Sequence, residues 1–371
     1  MTFTGVNICP KQDAGLCNQV YSIIAQCLLL YNSNKNSESS NVVLIGKFLK
    51  SINTTDFCNI NEIINIDKTN LYLKKYNIYL IDAFNFSYEI ANIYYCIDSA
   101  KINITNLFDT QIKNNSLIIP IDYPFNKLDD DVILKTIPIN DTMNKSIYID
   151  YVFNSICNTS VKYEIKNNKL LNEINSNTLT LIPNFTYEQD LMFIDILQNI
   201  IFNDIFLYKA NHYMSNIIKK NEKINCIHLR LENDAMSSWS RQNNINVDKF
   251  KEIVENKYIS SIEKYFDKND KILVLSYDYN NRVIDFLTQN EYNFIITTKM
   301  YKERELSAIS DLHIGNYCNN NYIFIFESSY SFTLLKRILN KNTNKNTNKI
   351  KAIMIEYMNI FSPERIYDFR K

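Results

Sequence analysis

From residue 224 to the C-terminus, short apolar runs alternate with longer stretches whose apolar residues recur every three or four positions. The runs Ile224–Leu229, Lys271–Tyr277, Tyr292–Thr297, Tyr322–Phe326 and Ile350–Ile355 are five to seven residues long. They are too short for helices and lack the apolar–polar alternation of a half-exposed sheet, so they predict strands buried on both faces. Between them, Val247–Tyr265 places Phe250, Ile253, Val254, Ile259 and Ile262 on one face of a predicted helix. Shorter helices are predicted at Asn281–Gln289, Glu303–Asn316 and Ser331–Leu339. Alternation of this kind over five strands predicts a parallel sheet with helices on both faces, in Rossmann-like order.

The first half opens in the same way. Phe3–Cys9 predicts a strand, 10–17 a loop, and 18–31 a helix whose run VYSIIAQCLLLY is too short and too interrupted to cross a membrane. Val42–Ile45 and Ile78–Ile81 predict further strands, and helices return over about 187–220. Residues 84–180 carry short Ile, Tyr and Asn runs that predict no clear element. The low-complexity stretch 340–348 (NKNTNKNTN) predicts a solvated loop. The expected organisation is an α/β chain of two Rossmann-type lobes, residues 1–210 and 211–371, a size that suits two cores better than one.

Composition narrows the partners. Lys plus Arg and Asp plus Glu number 40 each, so the basic excess of a general nucleic-acid binder is missing. The 8 cysteines are scattered without a C-x-x-C pair, and there are 3 histidines. That argues against a zinc site and fits free thiols in a reducing compartment. No basic segment followed by an apolar core marks a signal sequence at the start, so a cytoplasmic protein is expected. With only 4 glycines in 371 residues, each survivor is expected to meet a backbone need, either φ > 0 or a close approach. Gly15 stands out on that ground.

Three polar constellations fall where predicted strands end, the edge at which open parallel sheets bind ligands. The first, Asp13-Ala14-Gly15-Leu16-Cys17-Asn18-Gln19, follows the first strand and opens the first helix. Free N–H groups there suit a phosphate or a sugar hydroxyl, and Asn18 is the expected cap. The second is His228-Leu229-Arg230-Leu231-Glu232-Asn233-Asp234. Alternation along a strand puts His228 and Arg230 on one side. A permanently charged, forked guanidinium suits a diphosphate, with Glu232 and Asp234 supporting it. A purely structural ion pair would leave the same pattern. The third couples Asp311 with Ser328-Ser329-Tyr330-Ser331, a hydroxyl-rich helix start after the strand YIFIF. One serine is explained by an ordinary N-cap, three less well. No P-loop, HExxH or Ser-His-Asp pattern is present.

In order and spacing these three blocks resemble the protein O-fucosyltransferase and α-1,2/α-1,6-fucosyltransferase superfamily. Gly15-Leu16-Cys17-Asn18-Gln19 resembles its Gly-Leu-Gly-Asn-Gln-type loop, and His228-Leu229-Arg230 its His-x-Arg block. Ser328-Ser329-Tyr330-Ser331 resembles its Ser-Ser-Phe-Ser/Thr block. Cys17 stands in place of the usual glycine, and Tyr330 in place of the usual phenylalanine. The blocks cover roughly a tenth of the chain.

The resemblance implies a GT-B-like fold of two facing Rossmann-type lobes, the first on the acceptor side and the second binding a GDP-sugar. It implies an inverting, metal-independent transfer of fucose from GDP-fucose to a glycan or protein hydroxyl, with no further cofactor. Arg230 would then bind the diphosphate as it leaves. Gly15, Asn18, His228, Ser328, Ser329, Tyr330 and Ser331 would line the donor site, and Asp311 would hold the guanosine. Asp13 is the nearest carboxylate for a general base, one position from where the family places it. A GT-B transferase using another nucleotide sugar, or a non-catalytic glycan- or nucleotide-binding protein on the same fold, would carry the same blocks.

Overall fold

A computed structural model describes residues 3–8, 15–33, 40–45, 48–50, 57–82, 92–96, 101–103, 112–113, 116–117, 137–138, 163–166, 169–172, 178–180, 187–219, 221–297, 300–343 and 350–368. The chain divides into two compact units, Met1–Asn203 and Asp204–Lys371.

In the first unit, strand β1 (Phe3–Ile8) leads into helix α1 (Leu16–Ser33), followed by β2 (Ser40–Ile45), α2 (Ile60–Ile63) and α3 (Ile66–Leu73). Strands β3 (Ile78–Asp82) and β4 (Asn92–Cys96) and helix α4 (Tyr187–Asn199) complete its main elements. The four strands are parallel in the order β3-β2-β1-β4. Leu16, Val20, Ile23, Ile24, Cys27 and Leu28 form the buried stripe of α1, and the helix packs on β1, β2 and α4. The Gly15 carbonyl accepts the N–H groups of Asn18 and Gln19 at 3.0 and 3.2 Å. Gly15 therefore sits at the helix cap and Asn18 lies inside the first turn, which corrects the expectation that Asn18 caps the helix. Between β4 and α4 the described residues form only short strands, mostly in antiparallel pairs.

The second unit contains α5 (Asp204–Ser215), β5 (Ile224–Leu229), α6 (Asn233–Gln242), α7 (Val247–Tyr265), β6 (Lys271–Ser276) and α8 (Arg282–Gln289). It continues with β7 (Phe294–Ile296), α9 (Arg304–Gly315), β8 (Asn321–Ile325), α10 (Ser329–Thr343), β9 (Lys351–Ile355) and β10 (Arg365–Asp368). The sheet order is β7-β6-β5-β8-β9-β10. All pairings are parallel except β9 with β10. Every residue of β5 is buried, which is why INCIHL shows no alternation. Ile227 and Leu229 face a core shared with Phe250, Val254, Tyr258 and Ile262 of α7, each fully buried aliphatic contributing about 1.5–3 kcal/mol. Cys226 and His228 occupy the alternate positions on the strand.

Helices α2 and α3 and strand β4 of the first unit escaped the sequence pattern, and so did two elements of the second. Helix α6 is short and mostly polar, with Ala235 and Met236 buried. Strand β10 is charged at both ends and leaves Ile366 and Tyr367 exposed. Helix α10 runs on through Thr343, into the stretch expected to be loop, and 344–348 lie outside the described residues. Left-handed backbone falls to Asn77, Asn221, Asn244 and Glu291, and to none of the described glycines. Asparagine tolerates that region next best after glycine, so the scarcity of glycine is absorbed there. Gly315 serves close packing: a Cβ would lie 2.6 Å from a Leu334 methyl. Among the described residues no helix is long and apolar enough to cross a membrane.

Candidate functional site

Both sheets carry a 3-2-1-4 strand order in their own chain sequence. The order reverses between the first strand and the fourth, and that reversal opens a crevice beyond the strands' carboxyl ends. In the second unit it lies between β5 and β8, which pair through Cys226–Tyr322 and Ile227–Ile323. Arg230 follows β5 at this point, and Ser328 to Ser331 follow β8.

His228, near the end of β5, is buried, and its Nδ1 lies 2.6 Å from Ser331 Oγ. The Tyr330 ring packs 4.6 Å from the imidazole. Burial pushes the His228 pKa down to about 3, helped by the Arg230 and Arg304 charges. The ring is therefore neutral at physiological pH. It ties Ser331 to the end of β5. The strand-end backbone is fixed from the opposite face: Tyr258 Oη donates to the His228 carbonyl at 2.8 Å and Tyr357 Oη to the Arg230 carbonyl at 3.2 Å. Nothing in the sequence singled out these tyrosines among 26.

The serine block divides into distinct tasks. Ser328 caps α10, its Oγ accepting the Ser331 N–H at 3.3 Å. Ser331 Oγ also accepts the Ile325 N–H at 3.2 Å and is fully buried. Glu327 accepts the N–H groups of Tyr357 and Met358 at 2.9 and 2.6 Å, which pins the loop after β9 beside the same edge. Ser329 and Tyr330 stand in the first turn of α10.

Arg230 is held on both sides. Its Nη2 donates to Asp234 at 2.7 Å, and its Nη1 lies 2.8 Å from Glu232 Oε2. Both contacts are ion pairs, so the two carboxylates together fix the guanidinium. Burial works against the Arg230 charge, but Glu232 and Asp234 outweigh it and raise the pKa. For Asp234, burial is likewise overcome by Arg230, and the carboxyl is held below its usual range. The arrangement is a guanidinium at a strand-end crevice, positioned by two carboxylates.

Asp311, in the third turn of α9, stands apart from this group. Burial pushes its carboxyl up to about 7, partly offset by Thr297, and its Oδ1 has no hydrogen-bond partner. Its charge is felt by Tyr279, beyond β6, and by Cys226 on β5. Gly15 and Asn18 belong to the first unit, at the carboxyl end of β1 and so beside the β1/β4 reversal of that sheet. Asp13 lies outside the described residues. The five described cysteines, Cys17, Cys27, Cys58, Cys226 and Cys318, are free and buried.

Parallel sheets with this strand order, in an α/β chain of two units, define the fold class as that of the GT-B-like fucosyltransferases. Among solved structures the chain is similar to POFUT1 in complex with GDP. The TM-score is 0.53 at 8% identity, covering 95% of this chain and 98% of that one. POFUT1 in complex with GDP-fucose gives a TM-score of 0.52 at 8% identity, with 90% and 93% covered. The α-1,6-fucosyltransferase NodZ co-crystallised with GDP gives 0.46 at 10% identity over 100% of both chains. No protein-family model and no curated protein matches the sequence. At such identities the likeness is one of fold.

Proposed function

We propose that this chain is a glycosyltransferase that moves fucose from GDP-fucose to a glycan or protein hydroxyl, with inversion and without a metal. The second unit is assigned to the donor and the first to the acceptor. The observation that carries the reading is Arg230 at the switch point, half-buried and fixed by ion pairs to Glu232 and Asp234. Similarity in fold to structures that hold GDP and GDP-fucose supports it.

In this reading the acceptor oxygen attacks the anomeric carbon as the bond to the β-phosphate oxygen breaks. The hydroxyl proton passes to a base, for which Asp13 is the candidate. Negative charge grows on the departing phosphate oxygen, and Arg230 meets it with a preformed donor in a low-dielectric crevice. The α10 N-terminus, with Ser329 and Tyr330, adds N–H groups beside the phosphates. Ser328 and Ser331 hold that turn in place, and His228 holds Ser331. Asp311 Oδ1 is an acceptor suited to the N–H groups of guanine, and Gly15 and Asn18 are the first unit's own candidates for sugar contacts.

The test is transfer from GDP-fucose across a broad acceptor panel, beside thermal shift with GDP and UDP. Wild type should be stabilised by GDP and not UDP, and Arg230→Ala should lose about 10²- to 10³-fold or more in turnover. Near-normal transfer by Arg230→Ala would sink the mechanism, and stabilisation by UDP alone would sink the choice of donor.

A further inference from the structure

Arg230 by itself is a poor match for a diphosphate in charge. Its single positive charge already faces two carboxylates, Glu232 and Asp234. A phosphate chain that carries two or more negative charges needs a further cation in the same crevice. The structure offers one that the sequence pattern did not mark.

Arg304 is the first residue of α9, which follows β7. Its guanidinium carbon lies 5.8 Å from the centre of the Tyr277 ring. Tyr277 is the residue after β6, and β6 pairs with β5 so that Ser276 lies opposite Leu229. Tyr277 and Arg230 are the residues that follow this last pair on their two strands. Arg304 thus stands over Tyr277, at the end of the strand next to the one that Arg230 follows. Its side chain is 19% exposed. The ion-pair contact it makes, to Glu305, is long at 3.9 Å. Its charge also acts on both His228 and Asp234.

We propose that Arg304 is the second guanidinium of the diphosphate site, meeting the phosphate chain from the Tyr277 side while Arg230 meets it from β5. The inference rests on the donor reading above in taking the ligand to be a nucleoside diphosphate. Two guanidiniums separated across the crevice would grip a diphosphate through different oxygens, which a single fork does not do.

Calorimetric titration of the full chain with GDP, UDP, guanosine and inorganic pyrophosphate tests this. Arg304→Ala should weaken GDP and pyrophosphate at least tenfold and leave guanosine within twofold, with an unchanged melting temperature in the absence of ligand. Arg304→Lys should recover part of the loss, since it keeps the charge and gives up the fork. GDP affinity within twofold of wild type in Arg304→Ala overturns the inference, as does an equal loss of guanosine. If wild type binds UDP and not GDP, the donor reading fails alone, and pyrophosphate affinity of the variant still decides the role of Arg304. If wild type binds neither nucleoside diphosphates nor pyrophosphate, both fall.

Discussion

Replacing Asp311 with Asn separates a stability cost from a binding role at one position. In the folded chain burial holds the carboxyl up at about 7, against an ordinary value of 3.8. The folded state therefore binds the proton more tightly than the unfolded state. This proton-linked stability is complete below pH 3.8 and is lost progressively as pH rises to 7. Above 7 the carboxylate is charged in both states, and the full cost of burying it is present. A shift of about three units corresponds to about 4 kcal/mol at most, at 1.36 kcal/mol per unit. For a unit of this size that is on the order of 10 °C in melting temperature. Asn keeps the shape and removes the titration. Melting should be followed for wild type and Asp311→Asn at pH 5, 6, 7 and 8. The variant's advantage should grow from pH 5 to pH 8, because only wild type loses stability over that range. The unpartnered Oδ1 gives the same substitution an opposite effect on ligand. Asn should weaken GDP tenfold or more by removing the paired acceptor. In wild type the GDP affinity should fall as pH drops below 7 and the carboxyl takes up a proton. Parallel pH–melting curves for the two proteins would refute the burial argument, and unchanged GDP affinity would refute the assignment to guanosine.

Ser331→Ala should cost about 2–3 kcal/mol in urea unfolding, because the buried Ile325 N–H and His228 Nδ1 both lose a partner. Ser331→Thr should restore most of it, and a loss under 0.5 kcal/mol in the Ala variant would contradict the hydrogen-bond account. Gly315→Ala should lower the melting temperature, since the new methyl overlaps the buried Leu334 side chain; a gain from helix propensity alone would show that the contact relaxes freely. EDTA should leave transfer from GDP-fucose unchanged, and activity restored only by added divalent cation would overturn the metal-independent reading.

The parallel sheet of the second unit was legible because its strands are buried on both faces. Ile224–Leu229 and Lys271–Ser276 must then be apolar throughout, and Val247–Tyr265 must carry its apolar stripe toward them. Helix α6 and strand β10 were not legible, because one is mostly polar and the other buries little, so neither leaves a strong period. The residue types of the site were also visible: an arginine two residues past a histidine at a strand end, and a serine-rich helix start after the fourth strand. Which serine does what was a tertiary matter. Ser328 is a local cap, as sequence chemistry allows, but Ser331 bonds to His228, 103 residues away. The low pKa of His228 likewise comes first from burial, which no spacing encodes. Arg304 shows the limit most plainly. It begins an ordinary amphipathic helix, and only the pairing of β6 with β5 sets Tyr277, with Arg304 over its ring, on the strand next to the one that Arg230 follows. Sequence determined which segments must be strands and which charges they end on. The strand order, set by how the helices cover the two faces, decided which of those ends meet.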